Sequence, residues 1–123
     1  VQTCALPILA HGIYPHLDSK AQLTMFSPYI VGKLLREELK FSGIVITDAL
    51  NMQAAKTASA AAIATRAIQA GVDMLLLPSS VDEFTTALKT AIANGELSQE
   101  QIKQSLRRIW QVKLSLGLLP QQN

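Results

Sequence analysis

The chain is poor in cysteine, in clustered charge and in long apolar runs, and each shortage removes a class of function. One cysteine, Cys4, in 123 residues excludes an internal disulfide. It leaves the redox compartment open, because many secreted enzymes also lack bridges. A lone thiol so near the start reads as a small buried or frayed residue rather than a nucleophile. The formal net charge is only +2, and apart from Arg107 and Arg108 the cations are dispersed. A stripe that tracks phosphates is absent, so nucleic acid is not an expected partner. The longest apolar runs fall well short of the ~20 residues of a membrane span, and no cationic segment precedes an apolar one as in a signal peptide. A membrane is not an expected partner either. The compartment is left open, cytoplasmic being favoured over secreted. The chain also lacks an initial methionine: Val1 suggests a start inside a longer reading frame or after processing.

What is present is 49% hydrophobic residues, enough for a core and for one domain. The run Ala5–Ala10 is short and apolar, as suits a strand buried on both faces, with Pro7 at its start or in an unpaired position. After a polar loop, Ser27-Pro28 supplies an N-cap followed by proline at the first helical position. Ile30, Val31, Leu34, Leu35 and Leu39 recur at helical spacing, predicting a helix through about Lys40. Ser42-Gly43 turns the chain into the β-branched strand Ile44–Thr47. An alanine-rich helix follows from about Ser59 to Gln69, with Gly71 as its left-handed stop. Met74–Leu77 reads as a third strand ended by Pro78. The spacings Ser80-to-Glu83 and Ser98-to-Gln101 are capping boxes that open two last helices. Ile102, Leu106, Ile109, Val112 and Leu116 give the final one an apolar face, and Gly117 ends it.

Strands alternating with helices imply a parallel sheet with right-handed crossovers, whose chemistry gathers at the carboxyl ends of the strands. Three places qualify: the loop from His11 to Asp18, the loop from Asp48 to Met52, and the turn Pro78-Ser79-Ser80. Asp48 stands out because a carboxylate directly after a buried strand is costly unless paired or used. From spacing alone it could be a nucleophile, a general base, a metal ligand or the N-cap of the next segment. His16 and Asp18 read as solvated loop residues. Asp73, before the third strand, belongs to the opposite rim, where stability rather than catalysis is expected.

Read together, Ala10–Pro15, Leu34–Gly43, Ile44–Met52 and Gly71–Pro78 resemble consecutive blocks of the family 3 glycoside hydrolase catalytic domain, in matching order and spacing over about residues 9 to 119. The most specific is Thr47-Asp48-Ala49-Leu50-Asn51-Met52, since the family's equivalent aspartate is its catalytic nucleophile. The resemblance implies an α/β fold, a partial (β/α)8 barrel of about three βα units plus a final helix. Residues 1–123 would form one incomplete domain, the carboxyl-terminal segment of that barrel. It implies a retaining hydrolase of terminal β-linked sugars, N-acetyl-β-glucosaminides above all, working through a covalent glycosyl-enzyme on Asp48. His11, Tyr14 and Met52 become candidates for lining the sugar subsite. The family calls for no cofactor and no metal.

A complete barrel needs about 250 residues. The hexosaminidase branch carries its acid/base histidine in a Lys-His-x-Pro-Gly-His-Gly type segment on an earlier loop, and this chain has no such segment. The expected partner is therefore the missing amino-terminal part of the barrel, with an amino-sugar glycoside as substrate. Two other readings stay open: a catalytically inactive fragment of the barrel, and a phosphorelay receiver. The receiver is disfavoured because His11-Gly12 replaces its acidic pair and Pro78-Ser79-Ser80 offers no lysine.

Overall fold

The computed structural model describes residues 6–53 and 58–119. Cys4 and Ala5, the latter part of the first expected strand, lie outside that range. Strand β1 (Ile8–Leu9) pairs parallel with β2 (Ile46–Thr47), Ile8 opposite Ile46 and Leu9 opposite Thr47. On its other side Ile46 makes a single parallel bridge to Met74. The segment after Ile44 is thus central and the pairing parallel, as the alternation of elements led one to expect. Pro7 precedes β1 and serves the ladder only as an acceptor, taking the Ile46 N–H at 3.1 Å.

The pairing is shorter than the expected strands, and the third segment does not extend its bridge into a strand. Met74 N–H donates to Val45 O and Thr47 N–H to Met74 O, which completes one bridge. The next donor, Leu76 N–H, turns to the Thr47 hydroxyl at 3.0 Å instead of a backbone carbonyl. Leu77 then takes a left-handed φ of +46° and the ladder stops. A threonine at this point competes with the sheet for the donor.

The first long helix spans Pro28–Glu38 and is wound in the wide π form. Ser27 caps it, accepting the Ile30 N–H, with Pro28 in the first turn as expected. It ends short of Lys40 because Lys40 adopts φ +54°. The wider winding also rotates Leu39 off the face it would share with Leu35 in an α-helix, and Leu39 is exposed. Before this helix the expected polar loop contains a 3₁₀ turn, Thr24–Phe26, all three residues buried.

Three α-helices follow. Helix α1 (Ala60–Ala70) is capped by Ser59 and stopped by Gly71, whose φ of +106° only glycine adopts without strain. Helix α2 (Val81–Ala93) starts at Ser80, whose hydroxyl accepts the Glu83 N–H. Helix α3 (Gln99–Ser115) opens on a complete capping box between Ser98 and Gln101. Helix α1 packs against α2, the 3₁₀ turn, the wide helix and α3.

The core lies between the sheet and these helices. Leu9 and Val45 meet Met25, Phe26, Val31, Ile63, Ala64, Ala67 and Phe84. Val31, Val45 and Val72 are wholly buried, each worth roughly 1.5–3 kcal/mol relative to an exposed side chain. A smaller cluster of Ile68, Ala91 and Leu97 takes Ile102 of α3. Further along α3 the apolar face departs from expectation. Leu106 and Leu116 are exposed, and the buried position is Ser105. Among the described residues no helix is long and apolar enough to cross a membrane.

Candidate active site

Side chains alternate across a strand. Val45 and Thr47 are buried against the helices, so Ile46 and Asp48 belong to the opposite face. On that face Ile8 and Met74, the partners of Ile46 in register, are exposed. Asp48 therefore follows the central strand at its carboxyl end, on the face that no helix covers among the described residues.

Its backbone N–H donates to Leu9 O at 3.0 Å, tying the turn to the end of β1. Its Oδ1 accepts the N–H of the adjacent Ala49 at 2.7 Å. Among the described residues Oδ2 has no hydrogen-bond partner. A capping aspartate would take a donor two or three residues on. This pattern instead leaves one carboxylate oxygen available for chemistry.

His11, just after β1, reaches the same turn. Its Nε2 lies 3.0 Å from the Ala49 carbonyl, which also accepts the Met52 N–H at 3.2 Å. The histidine Nδ1 is buried and unpartnered among the described residues. The loop that carries His11 is fixed from behind, where Gly12 O accepts both the N–H and the hydroxyl of buried Thr24. Tyr14 and Met52, the other expected subsite residues, are 48% and 45% exposed. They lie on the two loops joined by the His11–Ala49 bond, and among the described residues no hydrogen bond connects either side chain to Asp48. The third expected place, Pro78–Ser80, is occupied in starting α2. A surface groove between α1 and α2, edged by Thr65, Arg66, Gln69 and Glu96, includes none of these three loops. Among the described residues no three His, Cys, Asp or Glu side chains are grouped to hold a metal ion.

Two aspartates have partners that spacing alone did not reveal. Asp18, expected in solvent, is buried and accepts the Ser27 hydroxyl at 2.6 Å, the Gln22 amide and the Lys20 N–H. These bonds, the Ser27 hydroxyl foremost, hold its carboxyl below the ordinary 3.8. A depressed folded-state pKa gives stability that is present above the unfolded value and lost as pH falls through the folded one. Denaturation midpoints should therefore differ between the protein and Asp18→Asn by a constant amount at neutral pH. The difference should shrink below about pH 3.8, and a pH-independent difference would refute the assignment.

Asp73 sits at the start of the third segment, as expected for a stabilising residue. Its side chain is fully buried among Arg36 at 2.6 Å, Arg108 at 2.8 Å, the Ser105 hydroxyl at 2.7 Å and the Val45 N–H at 2.9 Å. Arg36 also donates to the carbonyls of Phe41 and Gly43, and burial, foremost, lowers its pKa from the usual arginine value. Arg36, Ser105 and Arg108 went unread in the sequence as partners of this aspartate. The one available sign was Ser105 and Arg108 standing three apart on the helix face that also carries Ile102 and Ile109.

The Glycosyl hydrolase family 3 N terminal domain matches residues 5–112. A β-N-acetylglucosaminidase/β-glucosidase of Cellulomonas fimi is 32% identical over 92% of this chain and 20% of its own length. A β-hexosaminidase of Bordetella pertussis is 38% identical over 80% of this chain and 28% of its own. A solved family 3 β-N-acetylglucosaminidase from Paenibacillus sp. superposes with a TM-score of 0.84 at 28% identity, covering 94% of this chain and 23% of that one. The chain spans under a third of the length of these proteins.

Proposed function

The chain belongs to glycoside hydrolase family 3, and on that premise we propose that it is part of a retaining glycosidase in which Asp48 is the nucleophile. The substrate class is terminal β-linked amino sugars, N-acetyl-β-glucosaminides first, in keeping with the names of its relatives. The observation that carries the reading is the position of Asp48, after the central strand, on the uncovered face, with one carboxylate oxygen free of partners among the described residues. The segment contributes about three βα units and a final helix of a (β/α)8 barrel, from its carboxyl-terminal part. The exposed Ile8 and Met74 beside Ile46 support this, since a barrel fills that face with side chains from other strands.

In the mechanism Asp48 attacks the anomeric carbon and forms a covalent glycosyl-enzyme, and water then releases the sugar with net retention. Ala49 N–H, bonded to Oδ1, orients the carboxylate so that the other oxygen attacks. Tyr14 and Met52 form walls of the sugar subsite, and His11 stands at the same mouth. The group that protonates the leaving oxygen, needed on the far side of the scissile bond, is supplied by the remainder of the polypeptide.

The isolated 123-residue chain is accordingly inactive, while the full-length protein is a hydrolase. Assay of both on an aryl N-acetyl-β-glucosaminide should show turnover by the full-length protein and none above background by the chain alone. Ordinary glycosidase rates from the chain alone would refute the division of labour. An inert full-length protein would refute the function and favour the inactive-fragment reading.

A further inference from the structure

The geometry points to His11 as a positioning residue that holds the Asp48 turn through the carbonyl of Ala49. This inference rests on the nucleophile assignment above and extends it. A carbonyl cannot donate, so the contact at 3.0 Å requires the proton on Nε2. Ala49 O then accepts two bonds, one from Met52 N–H inside the turn and one from His11 outside it, and both its lone pairs are used. The N–H of the same residue is the donor to Asp48 Oδ1 at 2.7 Å. Imidazole, peptide and carboxylate thus form one connected chain, and the orientation of the carboxylate depends on where residue 49 is held.

The histidine is itself firmly placed. Its loop is anchored by the two bonds from Thr24 to Gly12 O, and Asp48 N–H donates to Leu9 O two residues before it. Neither ring nitrogen is offered to a sugar: Nε2 is engaged, and Nδ1 is buried. His11 therefore acts on the nucleophile, and sugar contact falls to Tyr14 and Met52. Without the Nε2 donor the Ala49 carbonyl loses one partner and the turn gains freedom, at a point where misplacing the reacting atom by about 1 Å costs about 100-fold.

The test compares three substitutions in the full-length protein. His11→Phe keeps a ring but removes the donor, His11→Gln can return an N–H to the position of Nε2, and His11→Asn offers an amide too short to reach. Each is assayed for kcat and KM on an aryl N-acetyl-β-glucosaminide and for amide hydrogen exchange over residues 49 to 53. Phe and Asn should lower kcat by about 10- to 100-fold with KM nearly unchanged, and should speed exchange at Met52. Gln should restore most of both. Should the Phe variant not fold, the Gln and Asn pair carries the same contrast. Gln as impaired as Asn, a change confined to KM, or unaltered exchange without the donor would each overturn the proposal. If instead Asp48→Asn leaves activity intact, the nucleophile assignment fails, and the exchange comparison still decides whether His11 holds the turn.

Discussion

Asp48→Asn in the full-length protein should lower kcat on an aryl N-acetyl-β-glucosaminide by on the order of 10⁴-fold, the scale on which loss of an essential carboxylate acts in other hydrolases. Asparagine keeps the size of the side chain, and its amide oxygen can still accept the Ala49 N–H that now reaches Oδ1. The fold should therefore survive. What is lost is the charge that supports an oxocarbenium-like transition state and the basic oxygen that attacks. The loss should appear in kcat and kcat/KM alike, because both roles belong to the transition state. A folded variant within tenfold of the parent would place the nucleophile elsewhere.

Asp73→Ala should have the largest effect on stability, about 3–5 kcal/mol, because breaking a buried ion pair leaves the remaining charges uncompensated. Here the substitution removes a fully buried carboxylate and strands two guanidinium groups, Arg36 with 13% and Arg108 with 26% of its side chain exposed. The Ser105 hydroxyl and the Val45 N–H would lose their acceptor as well. A loss of that size is a large share of the ~5–15 kcal/mol that holds a typical domain together. Urea denaturation should show the midpoint falling with little change in slope. Because Asp73 bonds Val45 before β2 and Asp48 follows it, the folded fraction of the full-length protein should keep its kcat. A shift under about 0.5 kcal/mol, the range of an ordinary surface substitution, would show that the cluster contributes little.

Where an element rests on local chemistry, the sequence told it well. Ser27, Ser80 and Ser98, read as caps, each accept a backbone N–H three residues on, and Ser59, read only as the start of its helix, does the same. Gly71 stops α1 in the left-handed region, and the β-branched run after Gly43 forms the centre of the parallel pairing. The misreadings occur where a distant partner decides. Asp18 looks like a loop aspartate until Ser27 and Gln22 are brought to it. Leu76 reads as a strand residue, yet its N–H finds the Thr47 hydroxyl. The wide winding of Pro28–Glu38 leaves no mark in the apolar spacing, which fits an α-helix equally well until Leu39. At the candidate site the place of Asp48, at the carboxyl end of the central strand, was legible in the β-branched run before it. The contact of His11 was not, since its Nε2 meets a carbonyl 38 residues away.

The most direct measurement is mass-spectrometric mapping of the residue labelled by a mechanism-based fluorinated N-acetyl-glucosaminide, which forms a slowly hydrolysed glycosyl-enzyme. In the full-length protein the label should reside on the peptide containing Asp48, at that residue, and Asp48→Asn should abolish it. A label carried by another carboxylate, such as Asp18 or Asp73, or labelling undiminished in folded Asp48→Asn, would contradict the account.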